Sequence, residues 1–226
     1  MTPDVLHELA LLRDLGFTHL DLTIPARTPV VAHAFAPDTA EVLSDWDTLV
    51  STAKGCTACR LAGTRTQVVF GTGNTNADLM FIGEAPGRDE DEQGEPFVGR
   101  AGQLLTDIIK AMKLTRDDVY ISNVIKCRPP ENRNPEPDEL DECRPYIRRQ
   151  IEMIRPKVIV TLGRFPLQSL TEKGYSISAV RGQWLDYNGI KLMPTYHPAY
   201  LLRTPAAKKD VWADMKKVMA ELGISF

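Results

Sequence analysis

Short apolar bursts alternate with stretches of helical period through most of this chain, and that alternation limits what it can fold into. LMFIG at 79–83 precedes a helical pattern near 101–113, VYISNVI at 119–125 precedes one near 137–154, and VIVTLG at 158–163 precedes one near 165–173. Apolar runs of about four to eight residues bounded by turn residues read as buried strands. Strands separated by helices predict an α/β fold with a mainly parallel sheet covered on both faces. Ligands then collect beyond the carboxyl ends of the strands.

The polar signals sit at those ends. GEAPG follows LMFI, Asn123 lies late in VYISN, and Tyr196-His197-Pro198 follows KLMPT. Pro137, Asp138 and Glu139 form a capping-type start for the helix near 137–154. Asn188-Gly189 marks a hairpin, and a last amphipathic helix is expected from about 206 to 222. No internal repeat is visible.

The first quarter differs. Leu6, Leu9, Leu12 and Leu15 recur at helical spacing, and Gly16 could end that helix; residues 23–40 hold three prolines and no lasting period, as a linker would. We therefore expect an N-terminal helical and linker extension over residues 1–45, then one domain over 46–226. No basic region precedes a continuous apolar core at the N-terminus, and no apolar run approaches the ~18 residues of a membrane span, so a soluble, cytoplasmic protein without a membrane partner is expected.

The whole chain of 226 residues carries a net charge of -3, which looks wrong for a nucleic-acid binder. Residues 1–53 hold eight acids and two bases, a balance of -6, so the remainder carries +3. Arg60, Arg65, Arg100, Lys126, Arg128, Arg133 and Arg203 gather near the polar signals of that remainder. The asymmetry permits a polyanion partner without demanding one.

Four cysteines in such a compartment are better read as metal ligands or reactive thiols than as disulfides. Cys56 and Cys59 form C-x2-C, with Cys127 and Cys143 far downstream and no histidine near either pair. A four-thiolate site suits zinc or a [4Fe-4S] cluster. The wide, uneven spacing leans toward the cluster, and ordinary buried thiols are the alternative.

The segment 83–102 packs five glycines and two prolines between a strand and a helix. It fits neither a Walker loop nor the dinucleotide fingerprint. Gly83 and Gly87 would let the main chain approach a ligand. Phe97 either anchors this loop or offers a ring on which a planar base stacks. His197 is the one histidine of the alternating region, and Tyr200, Leu201, Leu202 and Arg203 follow it. An apolar wedge followed by a cation is what parting stacked bases while holding a phosphate requires.

With GEAPGRDED at 83–91, PFVGRAGQLL at 96–105, NVIKCRPPENRNP at 123–135, HPAYLLR at 197–203 and the four cysteines, residues 54–220 resemble the family 4 uracil-DNA glycosylases, the iron–sulfur branch of that superfamily. The resemblance implies a three-layer α/β/α sandwich with a [4Fe-4S] cluster on Cys56, Cys59, Cys127 and Cys143. It also implies a monofunctional base-excision-repair hydrolase that removes uracil from DNA and leaves an abasic site without a lyase step. A monomer is expected, with other repair or replication proteins as candidate partners.

Mapped onto these residues, the nucleotide flips out of the duplex. Leu201 or Leu202 fills the gap and Arg203 holds the backbone, with Tyr200, Arg100, Arg128 and Arg133 also facing DNA. Phe97 stacks on uracil, and the Asn123 amide accepts from N3–H while donating to O4. His197 and main-chain amides near Glu84 and Ala85 stabilise the departing anion. Glu84, Glu90 and Asp91 are the candidates for orienting water or steadying the sugar cation, and Glu84, next to the strand end, ranks first. Ala85 stands where the best-known superfamily pattern has an acid. A related branch attacks the abasic sugar through a histidine in a loop after the second strand; none lies between His33 and His197, which excludes that route. A non-catalytic iron–sulfur DNA-binding or polymerase-associated module is the main rival, and a zinc-stabilised nucleotide-binding protein the second.

Overall fold

The computed structural model describes residues 45–225. The helix expected near the N-terminus and the linker of 23–40 lie outside the described residues.

Six strands form one sheet: β1 Thr72–Gly73, β2 Leu79–Gly83, β3 Tyr120–Asn123, β4 Val158–Leu162, β5 Leu185–Tyr187 and β6 Ile190–Thr195. Their order is β1-β3-β2-β4-β6-β5, with the four inner strands parallel and the two edges antiparallel. Because β2 lies between β3 and β4, the chain leaves it toward one neighbour and later returns on the other side. Such a reversal opens a crevice at the strand ends.

Alternation along the strands sorts the core into two faces. Met80, Ile82, Tyr120, Ile159 and Leu192 pack with helices α1 Trp46–Lys54, α4 Pro137–Ile154 and α5 Arg164–Thr171. Leu79, Phe81, Ile121, Val160 and Met193 pack with α3 Arg100–Ala111 and α8 Lys208–Glu221. The result is the expected three-layer sandwich. Short helices α2 Arg88–Gln93, α6 Ile177–Val180 and α7 Pro198–Arg203, with 3₁₀ turns at Arg60–Gly63, Pro130–Asn132 and Pro205–Ala207, complete the element order.

Local signals explain the boundaries. α4 starts with Pro137 at its first position, and the Glu139 carboxylate accepts from the Glu136 N–H at 2.9 Å. The β5–β6 turn has φ of 52° at Asn188 and 84° at Gly189, the left-handed pair that a two-residue hairpin uses. Among the described residues, no helix is long and apolar enough to cross a membrane.

Candidate active site

The end of β2 is stitched to the end of β3. The N–H groups of Val124 and Ile125 donate to the carbonyls of Gly83 and Glu84, each at 3.0 Å. A Cβ at Gly83 would collide with Asn123 Oδ1 and the tip of the Phe97 ring, so glycine is what lets amide and ring converge. Phe97 holds φ at 57°, a conformation that an aromatic residue rarely adopts without enforcement. Arg116 supplies part of it, donating to the carbonyls of Pro96 at 2.8 Å and Phe97 at 3.1 Å. Gly102 supplies the rest: the Phe97 carbonyl packs against it where any Cβ would clash.

His197 caps α7. Its Nδ1 accepts from the Ala199 N–H at 3.1 Å, so the neutral ring carries its proton on Nε2. Burial, with the Arg203 charge adding to it, pushes the imidazole down to about 4. At neutral pH it is an uncharged donor. Gly163, with φ of 96°, closes β4 against the His197 side chain.

These groups line one cavity of about 610 Å³. Glu84, Ala85, Phe97, Asn123 and His197 come from the strand ends and the β2–α3 loop, and Tyr200 and Arg203 from α7. Asn132, Arg133 and Asn134 come from the loop between Cys127 and Cys143, so that loop is a wall of the site. Asn123 is 1% exposed, and its Oδ1 has no hydrogen-bond partner among the described residues. A buried unpaired acceptor costs about 1–3 kcal/mol, which a ligand donor would recover.

The three candidate carboxylates separate clearly. Burial pushes Glu84 up to about 7 against the opposing charge of Arg164, and its carboxylate makes no hydrogen bond among the described residues. Glu90 also lines the cavity, but it accepts from the N–H groups of Gly87, Val98 and Gly99 and so clips the loop together. Asp91 is outside the cavity, buried beneath the N–H groups of Thr66 and Gln67. Its expected place near the sugar is corrected on that ground: the helical turn of α2 points it into the fold.

Helix phase also divides the wedge residues. Leu201 is 1% exposed in the core beside α3 and α8, whereas Leu202 is 42% exposed. The expectation of Leu201 as an intercalating side chain is corrected accordingly, and Leu202 and Tyr200 are the exposed apolar groups of α7. The basic cluster thins in the same way. Arg60 pairs with Asp138 and Glu136, and Arg133 forks onto Glu139. Arg65 donates to Cys127 Sγ and the Cys56 carbonyl, and Lys126 is buried. Arg100, Arg128 and Arg203 have no ion pair among the described residues, although Arg128 donates to Asn132 Oδ1 at 2.8 Å. Arg116 and Arg164 escaped the sequence reading because each acts on a loop distant from it in the chain, whereas Gly102 lay in the glycine-rich segment already singled out and only its contact with the Phe97 carbonyl was not legible.

None of the four cysteines is in a disulfide, and all four line one small cavity with Arg65, Lys126 and Tyr146 around them. Arg65 Nη1 donates to Cys127 Sγ at 3.3 Å, and the Lys126 N–H donates to Cys143 Sγ at 3.2 Å. Burial pushes the Cys143 thiol up to about 12, so binding a metal there would release its proton. Among the described residues, no three His, Cys, Asp or Glu side chains stand close enough together to hold a metal ion. The donor set, all sulfur with cationic and N–H groups turned to it, fits an iron–sulfur cluster.

Residues 70–216 match the family described as the uracil DNA glycosylase superfamily. The chain is 45% identical over 180 residues to a type-4 uracil-DNA glycosylase of Archaeoglobus fulgidus, covering 76% of this chain and 90% of that protein. It is 51% identical over 168 residues to one of Thermotoga maritima, covering 73% and 88%. With one of Saccharolobus solfataricus it shares 45% over 189 residues, 80% of this chain and 88% of that protein. Both the extent of these matches and the strand-end cavity lead to the same assignment: the chain belongs to the uracil-DNA glycosylase superfamily, in its type-4 branch.

Proposed function

We propose that this protein excises uracil from DNA by hydrolysing the N-glycosidic bond, through the residues of the strand-end cavity. The observation that carries the residue assignment is the buried, unpaired Oδ1 of Asn123. In this reading it accepts from uracil N3–H while the amide nitrogen donates to O4. Cytosine presents the reverse pattern at those positions and would leave polar atoms unpaired, a discrimination of about 10⁴ or more.

Extrahelical uracil stacks on Phe97, and the Nε2–H of neutral His197 donates to O2 as negative charge builds on the leaving base. Main-chain amides at Glu84 and Ala85 add to that stabilisation. Ionised Glu84 orients water or steadies the oxocarbenium-like sugar. Leu202 fills the vacated stack while Arg203, Arg100 and Arg128 meet phosphates. With no lysine among the described residues that line the cavity, the site stops at the abasic product. Cys56, Cys59, Cys127 and Cys143 would hold a [4Fe-4S] cluster. Held there, Cys127 and Cys143 would tie down the loop between them, which forms a wall of the cavity. Residues 1–45 act as an extension outside this catalytic domain.

A labelled uracil-containing oligonucleotide tests the reading. Strand breaks only after alkali are expected; breaks before alkali would overturn the monofunctional step. Intact strands after alkali at high enzyme would overturn uracil excision itself.

A further inference from the structure

Lys126 is buried without a carboxylate partner among the described residues, a costly state for a lysine unless every donor is used. All three are. Nζ donates to Ser122 Oγ at 2.6 Å, Gln150 Oε1 at 2.6 Å and the Asn123 carbonyl at 2.8 Å. At the other end of the residue, the Lys126 N–H donates to Cys143 Sγ at 3.2 Å, and its carbonyl accepts from the Val69 N–H at 2.8 Å. Cys143 and Cys127 are the ionisable groups that act on the ammonium, and their thiolate forms would favour its charge.

We propose that Lys126 is a positioning residue that locks the main chain of Asn123 to the four-cysteine centre. Gln150 and Cys143 both belong to α4, so one helix supplies an acceptor for the ammonium head and a sulfur for the backbone amide. Gln150 is itself fully engaged, its Nε2 donating to the Phe70 carbonyl and Tyr120 Oη at 3.0 Å each. The network therefore has no slack through which Asn123 could shift while the centre stays intact. A base-reading amide needs that rigidity, because a displacement of about 1 Å can cost about a hundredfold. The proposal rests on Asn123 reading N3–H.

The test uses the iron-loaded full chain and measures, by equilibrium dialysis of labelled bases, its preference for uracil over 3-methyluracil, which lacks the N3–H donor. Asn123→Ala should abolish the preference; if it persists, the reading of Asn123 fails and this proposal with it. Lys126→Met should reduce the preference about tenfold, in the range typical of groups that orient a ligand-contacting residue, at unchanged iron content. An unchanged preference in Lys126→Met, with the preference lost in Asn123→Ala, overturns the positioning role alone. Should Lys126→Met lose iron, wild type stripped of metal is its reference, with the same tenfold difference expected. Should it not fold, Ser122→Ala removes one Nζ acceptor; a severalfold drop is expected, and none overturns the proposal.

Discussion

The Phe97 ring stands 5.7 Å from the imidazole of His197, the two planes inclined by 33°. That separation is too small for a base to lie sandwiched between them, so in the proposed reading Phe97 would offer its face to the base and His197 would meet an edge. Replacing the ring without emptying its volume isolates the stacking contribution. Phe97→Leu should lower kcat/KM on uracil DNA ten- to a hundredfold, corresponding to about 1–3 kcal/mol of base stacking. Steady-state assays on one oligonucleotide check this.

The pH dependence should follow two displaced groups. Glu84 is ionised only above about 7 and His197 is neutral down to about 4. Single-turnover excision should therefore rise through pH 7, and once Glu84→Gln removes that rise no step should remain near 6.5, the ordinary histidine value. Glu84→Gln should flatten the rise.

Stability runs opposite to activity at Glu84. Its folded value lies above the ordinary 4.5, so the contribution from its protonated form is full below 4.5 and is lost as pH climbs through 7. Thermal melts of Glu84→Gln should thus gain on wild type at pH 8 relative to pH 4.5.

Leu201 and Leu202 should exchange phenotypes. Leu201→Ala opens a cavity beside α3 and α8 and should cost about 2–5 kcal/mol in denaturant unfolding. Leu202→Ala should leave stability within about 0.5 kcal/mol and slow excision from duplex DNA more than from single strands, which need no wedge.

Arg203 and Arg133 both line the cavity, but only Arg133 is neutralised, by Glu139. Arg203→Ala should lower the salt slope of DNA binding by about one, whatever the sequence bound. Arg133→Ala should leave the slope near its wild-type value while destabilising the loop between Cys127 and Cys143.

What the amino-acid order determined is local or periodic. Alternation placed the strands, and Pro137 with Glu139 placed the start of α4 because capping acts within one turn. Asn188-Gly189 placed a hairpin because both residues tolerate a left-handed backbone. The motifs put Glu84, Phe97, Asn123 and His197 at strand ends, which a parallel sheet gathers on one side. Only the tertiary structure decided which of several neighbouring groups acts. Glu84, Glu90 and Asp91 share eight residues of sequence; the path of the loop turns Glu90 and Asp91 onto backbone N–H groups and leaves Glu84 in the cavity. Helix phase buried Leu201 and exposed Leu202, and the approach of α4 cancelled the charge of Arg133 while giving Lys126 one of its three acceptors, Gln150. Pairing and burial depend on residues far apart in the chain, and no local pattern encodes them.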